Sequence, residues 1–474
     1  MRKTKIICTI GPASGSEDVM RQMILAGMNV CRLNFSHSNH ADHEKKIALI
    51  KKLRKELKLP VAILIDTKGI KIRLRAFEKG SVFLKTGNRF IFTTKDVTGN
   101  NERASVDYPD LCSTVKEGGR IMVDDGLCEF RILNITDDEV ECEVLNDGEI
   151  KDGKGVNLPE TKIEAPFLSE ADKADLVFGI EHDVDFFALS FTRNADDVNT
   201  ARSFIKEQGG AGIELIAKIE NREGVENIDE IIEASDGVMI ARGDMGVEIP
   251  FEELPYIQKK IIAACETKGK TSTTATQMLE SMIHNPRPTR AEITDVANAV
   301  YDGTNTVMLS GETSVGKYPV KAIETMVKIA ERAEAAIDYK GKPENSAFPV
   351  PTRETGITGA ISRATCTTAH DLDANAILAV TLRGDTARRL SGFRPQTPII
   401  GVTPFEKTYY QLALYWGVTP IMNKYVKDAD ELIQNAVITA EKEGCIKSGD
   451  LVVITGCTRY SAGGNNSIQV YVIQ

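Results

Sequence analysis

Two short polar exits from apolar runs carry the densest chemistry in the chain. Lys218-Ile219-Glu220 ends the run 213–219, and Arg242-Gly243-Asp244 follows the run 237–241. Both runs are too short for helices, are bounded by polar turns, and read as buried strands. Residues two apart on a strand share a face, so Lys218 and Glu220 point the same way. Between the runs, residues 225–234 carry apolar side chains at helical spacing, which makes 213–250 a β-α-β unit with parallel neighbouring strands. Parallel strands present ligands at their carboxyl ends, so one lysine and two carboxylates converge on one pocket. Glu220 with Asp244 offers hard oxygen ligands for Mg²⁺ or Mn²⁺, and Lys218 offers a point charge for phosphate or a proton. A strand-end salt bridge would use the same three residues, and this stretch alone does not separate the two readings.

The elements that must hold this pocket emerge along the chain. Residues 5–10, 28–33 and 61–65 read as strands, separated by a helix at 17–26 with Ser16 as its cap and Gly27 as its stop, and by an amphipathic helix at 41–57. Helical periodicity then disappears from about 72 to 165. Short alternating strands at 82–84, 90–94, 120–123, 127–135 and 140–145, with turn signals at Asp125-Gly126 and Asn146-Asp147-Gly148, mark an all-β insertion. Alternation resumes with a helix at 169–179 and strands at 185–190, 213–219, 237–241, 270–275 and 305–309. Thr289-Arg290-Ala291-Glu292 is a capping box opening a helix. Eight strands with helices over about 245 residues match a closed (β/α)₈ barrel, with an open doubly wound sheet as the competing arrangement. Residues 341–351 read as a linker, and a compact α/β unit follows. The domain boundaries are therefore 1–70 with 166–340 for the barrel, 71–165 for an inserted all-β domain, and 341–474 for a C-terminal α/β unit.

Composition narrows the function. The chain has 474 residues, 42% of them hydrophobic, and a net charge of −10. That balance argues against a general nucleic-acid or anionic-membrane binder and leaves room for a local cationic pocket. No apolar run approaches the ~20 residues a membrane span needs. Met1-Arg2-Lys3 leads into a strand without a signal-peptide core, and the nine cysteines form no C-x-x-C pair, so a reducing cytoplasm is expected. His37, His40 and His43 are three apart but sit beside Asp42 and Glu44, and read as an exposed helix start rather than a metal set.

Taken together, the barrel strand ends offer Arg32, Asn34, Ser36, Asp66, Thr67, Lys68, Lys218, Glu220, Asp244, Thr276 and Glu312. They contain no His/Cys/Asp set for acyl transfer and no Walker-type loop. Phosphoryl transfer needs in-line positioning and neutralisation of charge on the moving group, which Arg32, Lys218 and a divalent metal on Glu220 and Asp244 could supply.

The chain resembles the pyruvate kinase family over essentially its whole length. The matching segments are TKIICTIGPAS (4–14), NVCRLNFSH (29–37), DTKG (66–69), AKIENREGVENIDEI (217–231), ARGDMGVEIP (241–250), ATQMLESM (275–282), PTRAE (288–292) and SGET (310–313). The resemblance implies that the 71–165 insertion is a β-barrel lid and that 341–474 is a regulatory domain, and it implies transfer of phosphate from phosphoenolpyruvate to ADP, giving pyruvate and ATP. It implies Mg²⁺ (or Mn²⁺) on Glu220 and Asp244, with Lys218 stabilising the moving phosphoryl group. Arg32 would grip the phosphate, and Thr276 would stand on the enolate side near the proton-delivery path. Backbone N–H groups of Gly243 and Asp244 would hold the substrate carboxylate. Arg73, His37 and Lys154 match nucleotide-contacting positions, and Asn34, Ser36, Asp66 and Thr67 match a K⁺ site. A homotetramer with a phosphorylated allosteric effector is also implied, the effector meeting Thr381, Arg383, Gly384 and Thr386, with the 461–466 loop adding backbone donors.

The chain departs from the family pattern at several points. After DTKG the family reads Pro-Glu-Ile-Arg-Thr-Gly, whereas this chain has Ile70-Lys71-Ile72-Arg73-Leu74-Arg75. The Lys71 ammonium is expected near Asp66 in the place of K⁺, which implies weak or absent K⁺ dependence. Thr271-Ser272-Thr273 replaces an apolar run in the seventh strand, where hydroxyls without partners would cost roughly 1–3 kcal/mol each. Glu160 and Thr161 replace commoner small or apolar residues. Asp385 brings negative charge to the effector loop. Two other classes remain open on sequence: a metal-dependent lyase or aldolase of pyruvate-type enolates, and a catalytically impaired regulatory relative.

Overall fold

The structure, a computed structural model, describes residues 2–159, 161–163, 165–339, 356–426, 428–456 and 465–474. Eight parallel strands close into one barrel: β1 (Lys5–Thr9), β2 (Val30–Asn34), β3 (Ala62–Asp66), β4 (Phe186–Leu189), β5 (Glu214–Ile219), β6 (Gly237–Ala241), β7 (Thr271–Ala275) and β8 (Thr306–Leu309). The open-sheet alternative is excluded because β1 pairs with both β2 and β8. Nearly every strand residue is buried, as expected of a sheet covered on both faces. Outward-facing side chains such as Ile6, Ile63, Leu215 and Val238 pack under the helices. Inward-facing ones such as Val30, Leu64, Phe186 and Met239 fill the interior. Register then does the placing. Asn34 lies opposite Asp66, Asp66 opposite Ala188, and Ile219 opposite Ile240, so the polar exits share one rim.

The seventh strand keeps full register with β6 despite its hydroxyls. Its outward-facing hydroxyls find partners. Ser272 Oγ donates to Asn305 Oδ1 at 3.1 Å, and the Ser272 N–H reaches the same oxygen at 3.0 Å. Thr274 Oγ1 pairs with Thr304 Oγ1 at 3.0 Å. A hydrogen-bonded seam therefore joins β7 to the approach to β8.

The insertion leaves the barrel after β3 and forms a seven-stranded sheet plus a two-stranded ribbon. One helical turn, Leu111–Thr114, interrupts its otherwise all-β character. Its strands at Ile72–Arg73, Arg103–Ser105, Gly148–Lys151 and Gly155–Asn157 carry no alternation long enough to read from sequence. The return is tied to the barrel by Asn157 Nδ2, which donates to Glu248 Oε1 at 2.8 Å. In the barrel, helix Ala195–Glu207 joins β4 to β5. The single helix expected at 225–234 is two, Arg222–Glu226 and Ile228–Ala234, because Asn221 caps an earlier start. The expected linker at 341–351, Glu160, and residues 461–464 of the effector loop lie outside the described residues.

The C-terminal unit is a five-stranded sheet of β9 (Ala376–Val380), β10 (Ile399–Thr403), β11 (Val418–Met422), β12 (Leu451–Gly456) and β13 (Ser467–Val472), in the order β11-β10-β9-β12-β13 with only β13 antiparallel. It covers the barrel floor, at the opposite end from the polar rim. Tyr415 Oη donates to Glu214 Oε2 at 2.6 Å, Arg388 ion-pairs with Glu214, and Lys5 Nζ donates to the Val418 carbonyl at 2.6 Å.

Lys5 is buried at that floor, and burial together with nearby Arg2 lowers its pKa from 10.5 to about 7, with Glu334 opposing the fall. The unfolded chain keeps that proton to higher pH. Lys5 therefore weakens the fold at low pH, and stability recovers as pH rises from about 7 toward 10.5. Thermal midpoints of the natural protein and Lys5→Met should diverge in favour of the natural protein across that window. A difference that stays constant with pH would contradict the burial of a charged Lys5.

Candidate active site

Lys218 is the centre of the rim. It lies near the end of β5 and is only 7% exposed. Its ammonium sits 3.0 Å from Asp66 Oδ1 and 2.8 Å from Glu220 Oε1, and donates to Ser190 Oγ at 2.7 Å. Burial disfavours its charge, but Asp66 and Glu220 outweigh burial and raise its pKa above that of a free lysine. Asp66 is shared. Its Oδ2 accepts from Arg32 Nε at 2.6 Å, and Arg32 Nη1 donates to Thr9 Oγ1 at 2.8 Å. Burial pushes the Asp66 carboxyl up, yet Arg32 and Lys218 together hold it below the usual carboxylate range.

Glu220 is less well compensated. Burial holds it above the usual range, against Lys218, and the charge of Asp244 adds to the rise. Its Oε2 accepts the Phe191 N–H at 2.7 Å. Phe191 has φ 54°, a left-handed conformation that a bulky side chain adopts only when its surroundings enforce it. A pair of hard carboxylate groups, one of them with its charge disfavoured by burial, suits a small divalent cation that would stabilise the ionised form. No group of three or more His, Cys, Asp or Glu gathers in metal-ligand geometry among the described residues. The site therefore fits an ion that draws its remaining ligands from water and substrate, as Mg²⁺ commonly does.

The other predicted residues fall around a cavity of about 270 Å³ at this rim. Asn34, Ser36, His37, Arg73, Lys154, Lys68, Lys71 and Asp244 line it with the Lys218 group. Arg73 Nη1 donates to the Gly153 carbonyl at 2.9 Å, and Lys154 pairs with Asp124 at 2.7 Å, which places lid cations over the pocket mouth. Partial burial lowers the His37 pKa, and Arg73, Arg32 and Lys71 lower it further, so the neutral imidazole is favoured. Thr276 leaves β7 with φ 67°; its Oγ1 accepts the Gly243 N–H at 2.7 Å and donates to the Ala275 carbonyl at 2.6 Å. Gly243 and Asp244 lie in the first turn of helix Arg242–Glu248.

Two expectations change. Lys71 pairs with Asp244 at 3.7 Å and Asp125 at 4.0 Å and makes no ion pair with Asp66, because the lid hinge enters beside β6. The histidine trio stands at the start of helix His40–Leu57 as expected, with His37 exposed, but it is not exposed throughout: His43 is buried, stacked on Phe35 at 4.1 Å, and His40 pairs with Asp175 at 2.6 Å. Glu312, at the β8 exit, is buried and accepts the N–H groups of Leu279 and Ser310, so it braces the β7 and β8 loops. In the C-terminal unit Thr381 Oγ1 accepts the Gly384 N–H at 3.0 Å and Thr386 is buried. Asp385 lies 3.7 Å from Arg388, so part of its negative charge is met within the fold.

Sequence reasoning missed Ser190. Its hydroxyl accepts from Lys218 and lies 2.7 Å from the Thr67 carbonyl and 3.1 Å from Asp66 Oδ1, while its N–H donates to Thr67 Oγ1 at 3.1 Å. It stands one residue past β4, so the strand-end rule that selected the other residues reaches it too. Gly69 belongs to the same junction. It has φ 64°, and a Cβ there would lie 2.8 Å from Ser190 Cβ.

Fold and rim together define a barrel enzyme built for charge neutralisation at a phosphoryl group, with a cationic lid over the mouth. Family models assign the same architecture: "Pyruvate kinase, barrel domain" matches residues 1–323, and "Pyruvate kinase, alpha/beta domain" matches 359–471. Pyruvate kinases of Staphylococcus aureus strains MRSA252 and USA300 are each 48% identical over 476 residues, covering 100% of this chain and 81% of theirs. A crystal structure of a pyruvate kinase from Cryptosporidium parvum superposes with a TM-score of 0.93 at 39% identity, covering 100% of this chain and 96% of that one. The chain belongs to the pyruvate kinase family.

Ser190→Ala removes a charge-assisted hydrogen bond from Lys218, worth roughly 1.5–3 kcal/mol. If that bond holds Lys218 in place for the reaction, kcat falls about 10–100-fold while KM for ADP stays put. Steady-state kinetics with an unchanged kcat would show that Asp66 and Glu220 suffice.

Proposed function

We infer that the barrel rim carries out its family's reaction through the residues just described. The chain is a phosphotransferase of the pyruvate kinase type, and the reaction is transfer of the phosphoryl group of phosphoenolpyruvate to ADP, giving pyruvate and ATP. The observation that carries the residue assignment is the Lys218 ammonium, buried within 3.0 Å of both Asp66 and Glu220. An enolate-cleaving lyase has no need of such a group two residues from a metal carboxylate, nor of a lid bearing Arg73 and Lys154. The intact rim speaks against an inactive relative.

In this reading Arg32 and Lys218 bind the phosphoryl oxygens of phosphoenolpyruvate. Lys218 matches the charge that grows on the equatorial oxygens, and its burial strengthens that match. Glu220 and Asp244 would hold Mg²⁺ or Mn²⁺, which would supply further charge neutralisation at the phosphoryl group. The substrate carboxylate takes the Gly243 and Asp244 N–H groups, exchanging the Gly243 bond that Thr276 Oγ1 accepts in the free protein. Freed, the Thr276 hydroxyl, with water, faces the enolate carbon. Arg73, His37 and Lys154 receive ADP, neutral His37 as a hydrogen-bonding group and the two cations as phosphate partners. Closure of the lid dries the site.

Asn34, Ser36, Asp66 and Thr67 form the monovalent-cation set. Both Asp66 oxygens already meet cations, and Asn34 Oδ1 accepts the Ser36 N–H at 3.0 Å. That saturation, together with the ammonium of Lys71 in the same cavity, supports weak or absent K⁺ dependence. Initial rates with K⁺ replaced by a bulky organic cation should stay within a few-fold; loss of nearly all activity would overturn this part. The family resemblance further supports a homotetramer in the cytoplasm and a phosphorylated effector at Thr381, Arg383, Gly384 and Thr386. No helix among the described residues is long and apolar enough to cross a membrane.

Lys218→Met should abolish phosphoryl transfer while largely sparing Mg²⁺ binding, read by Mn²⁺ titration of the free protein and by a coupled pyruvate assay. Near-normal turnover in this variant would refute the role given to Lys218.

A further inference from the structure

Thr276 and Gln277 leave β7 with φ values of 67° and 53°, two consecutive non-glycine residues in the left-handed region. A β-branched residue resists that conformation, so something outside the turn must hold it. The Arg242 side chain is in place to do so. Its Nη2 donates to the Thr276 carbonyl at 2.7 Å and its Nε to the Ala275 carbonyl at 3.3 Å. The far side of the guanidinium is fixed by Asp295 Oδ1 at 2.8 Å and Gln258 Oε1 at 3.3 Å, from two different helices. The next residue, Gly243, supplies the N–H that reaches Thr276 Oγ1, and the one after it is the metal carboxylate Asp244.

We propose that Arg242, anchored by Asp295, is a positioning residue for enolate protonation: it clamps the strained Thr276–Gln277 turn so that the Thr276 hydroxyl is registered against the enolate carbon. The inference rests on the proton-side role given to Thr276 above. In that step a C–H bond forms at C3 of the enolate as an O–H bond of the Thr276 hydroxyl or its water breaks. The C=C π pair moves to the new C–H bond, the enolate oxygen becomes the ketone oxygen, and solvent returns the proton to the donor. Phosphoryl transfer is complete before this step and is governed by Lys218 on the neighbouring strands. Loosening the clamp should therefore separate two rates that the natural enzyme couples.

A planar fork can hold two carbonyls and a carboxylate at once, whereas an ammonium of lysine is a compact point charge without that geometry. Hence Arg242→Lys should retain part of the function and Arg242→Met little. The test compares two readouts on the full chain with Mg²⁺. One is loss of phosphoenolpyruvate in the presence of ADP. The other is exchange of pyruvate methyl protons in D₂O with ATP bound, followed by NMR. Arg242→Met should slow exchange by about 100-fold, the scale of a misplaced general acid–base group, with phosphoryl transfer affected at least ten times less. Asp295→Asn should give the same split more weakly, and it carries the test if Arg242→Met does not fold. Equal loss of both rates, or no loss of exchange in Arg242→Met and Asp295→Asn, overturns the clamp. Thr276→Val separates the two levels. If it too leaves exchange intact, the role of Thr276 is wrong; if it abolishes exchange while the Arg242 and Asp295 variants do not, only the clamp is wrong.

Discussion

One buried ammonium sets the terms for the whole rim. Lys218 is surrounded by protein, and a lysine so placed would lose its proton without compensation. Asp66 comes from β3, Glu220 follows β5, and Ser190 follows β4, so the charge on Lys218 depends on three adjacent strands keeping register. The dependence runs both ways. Asp66 stays ionised only because Arg32 and Lys218 flank it, whereas the charge of Glu220 stays disfavoured because Lys218 only partly offsets burial and the nearby charge of Asp244. That imbalance is what a divalent cation can relieve. A salt bridge and a catalytic constellation are here the same contacts, used before and after ligands arrive.

The rim also concentrates backbone strain. Phe191, Thr276 and Gln277 all have left-handed φ values, and two of them are fixed by a contact from a different element: Glu220 for the Phe191 N–H, Arg242 for the Thr276 carbonyl. Such conformations persist where surrounding structure over-determines them. The stiff helices and the closed barrel provide that excess of constraint. The lid is tied to the barrel by Asn157 to Glu248, by Lys71 to Asp244, and by Arg193, which donates to the Ile163 and Ala165 carbonyls.

At the other end of the barrel the C-terminal unit meets the strand starts with buried polar groups as well as apolar ones. Glu214, the first residue of β5, is paired with Arg388 and Tyr415 of that unit. Lys218 and Glu220 lie at and just beyond the far end of the same strand. The floor and the rim are thus joined by one extended, fully buried element.

Much of this was legible in the sequence. Apolar runs of strand length, separated by capped helices, determine a β/α alternation, and polar residues at run ends mark the rim, because period and burial are local properties of the chain. The types Lys218, Glu220, Asp244 and Arg32 likewise announced charge neutralisation at phosphate. Tertiary structure alone decided which groups meet. Lys71 goes to Asp244 rather than Asp66 because the lid enters beside β6, and no local pattern encodes that approach. Ser190 joins Lys218 only through strand register, and the hydroxyls of Ser272 and Thr274 are satisfied only because Asn305 and Thr304 arrive beside them. Arg242 holds Thr276 across two strand ends 34 positions apart in the chain. Sequence fixes what each residue can do; which partner it does it with depends on distances that exist only once the barrel has closed.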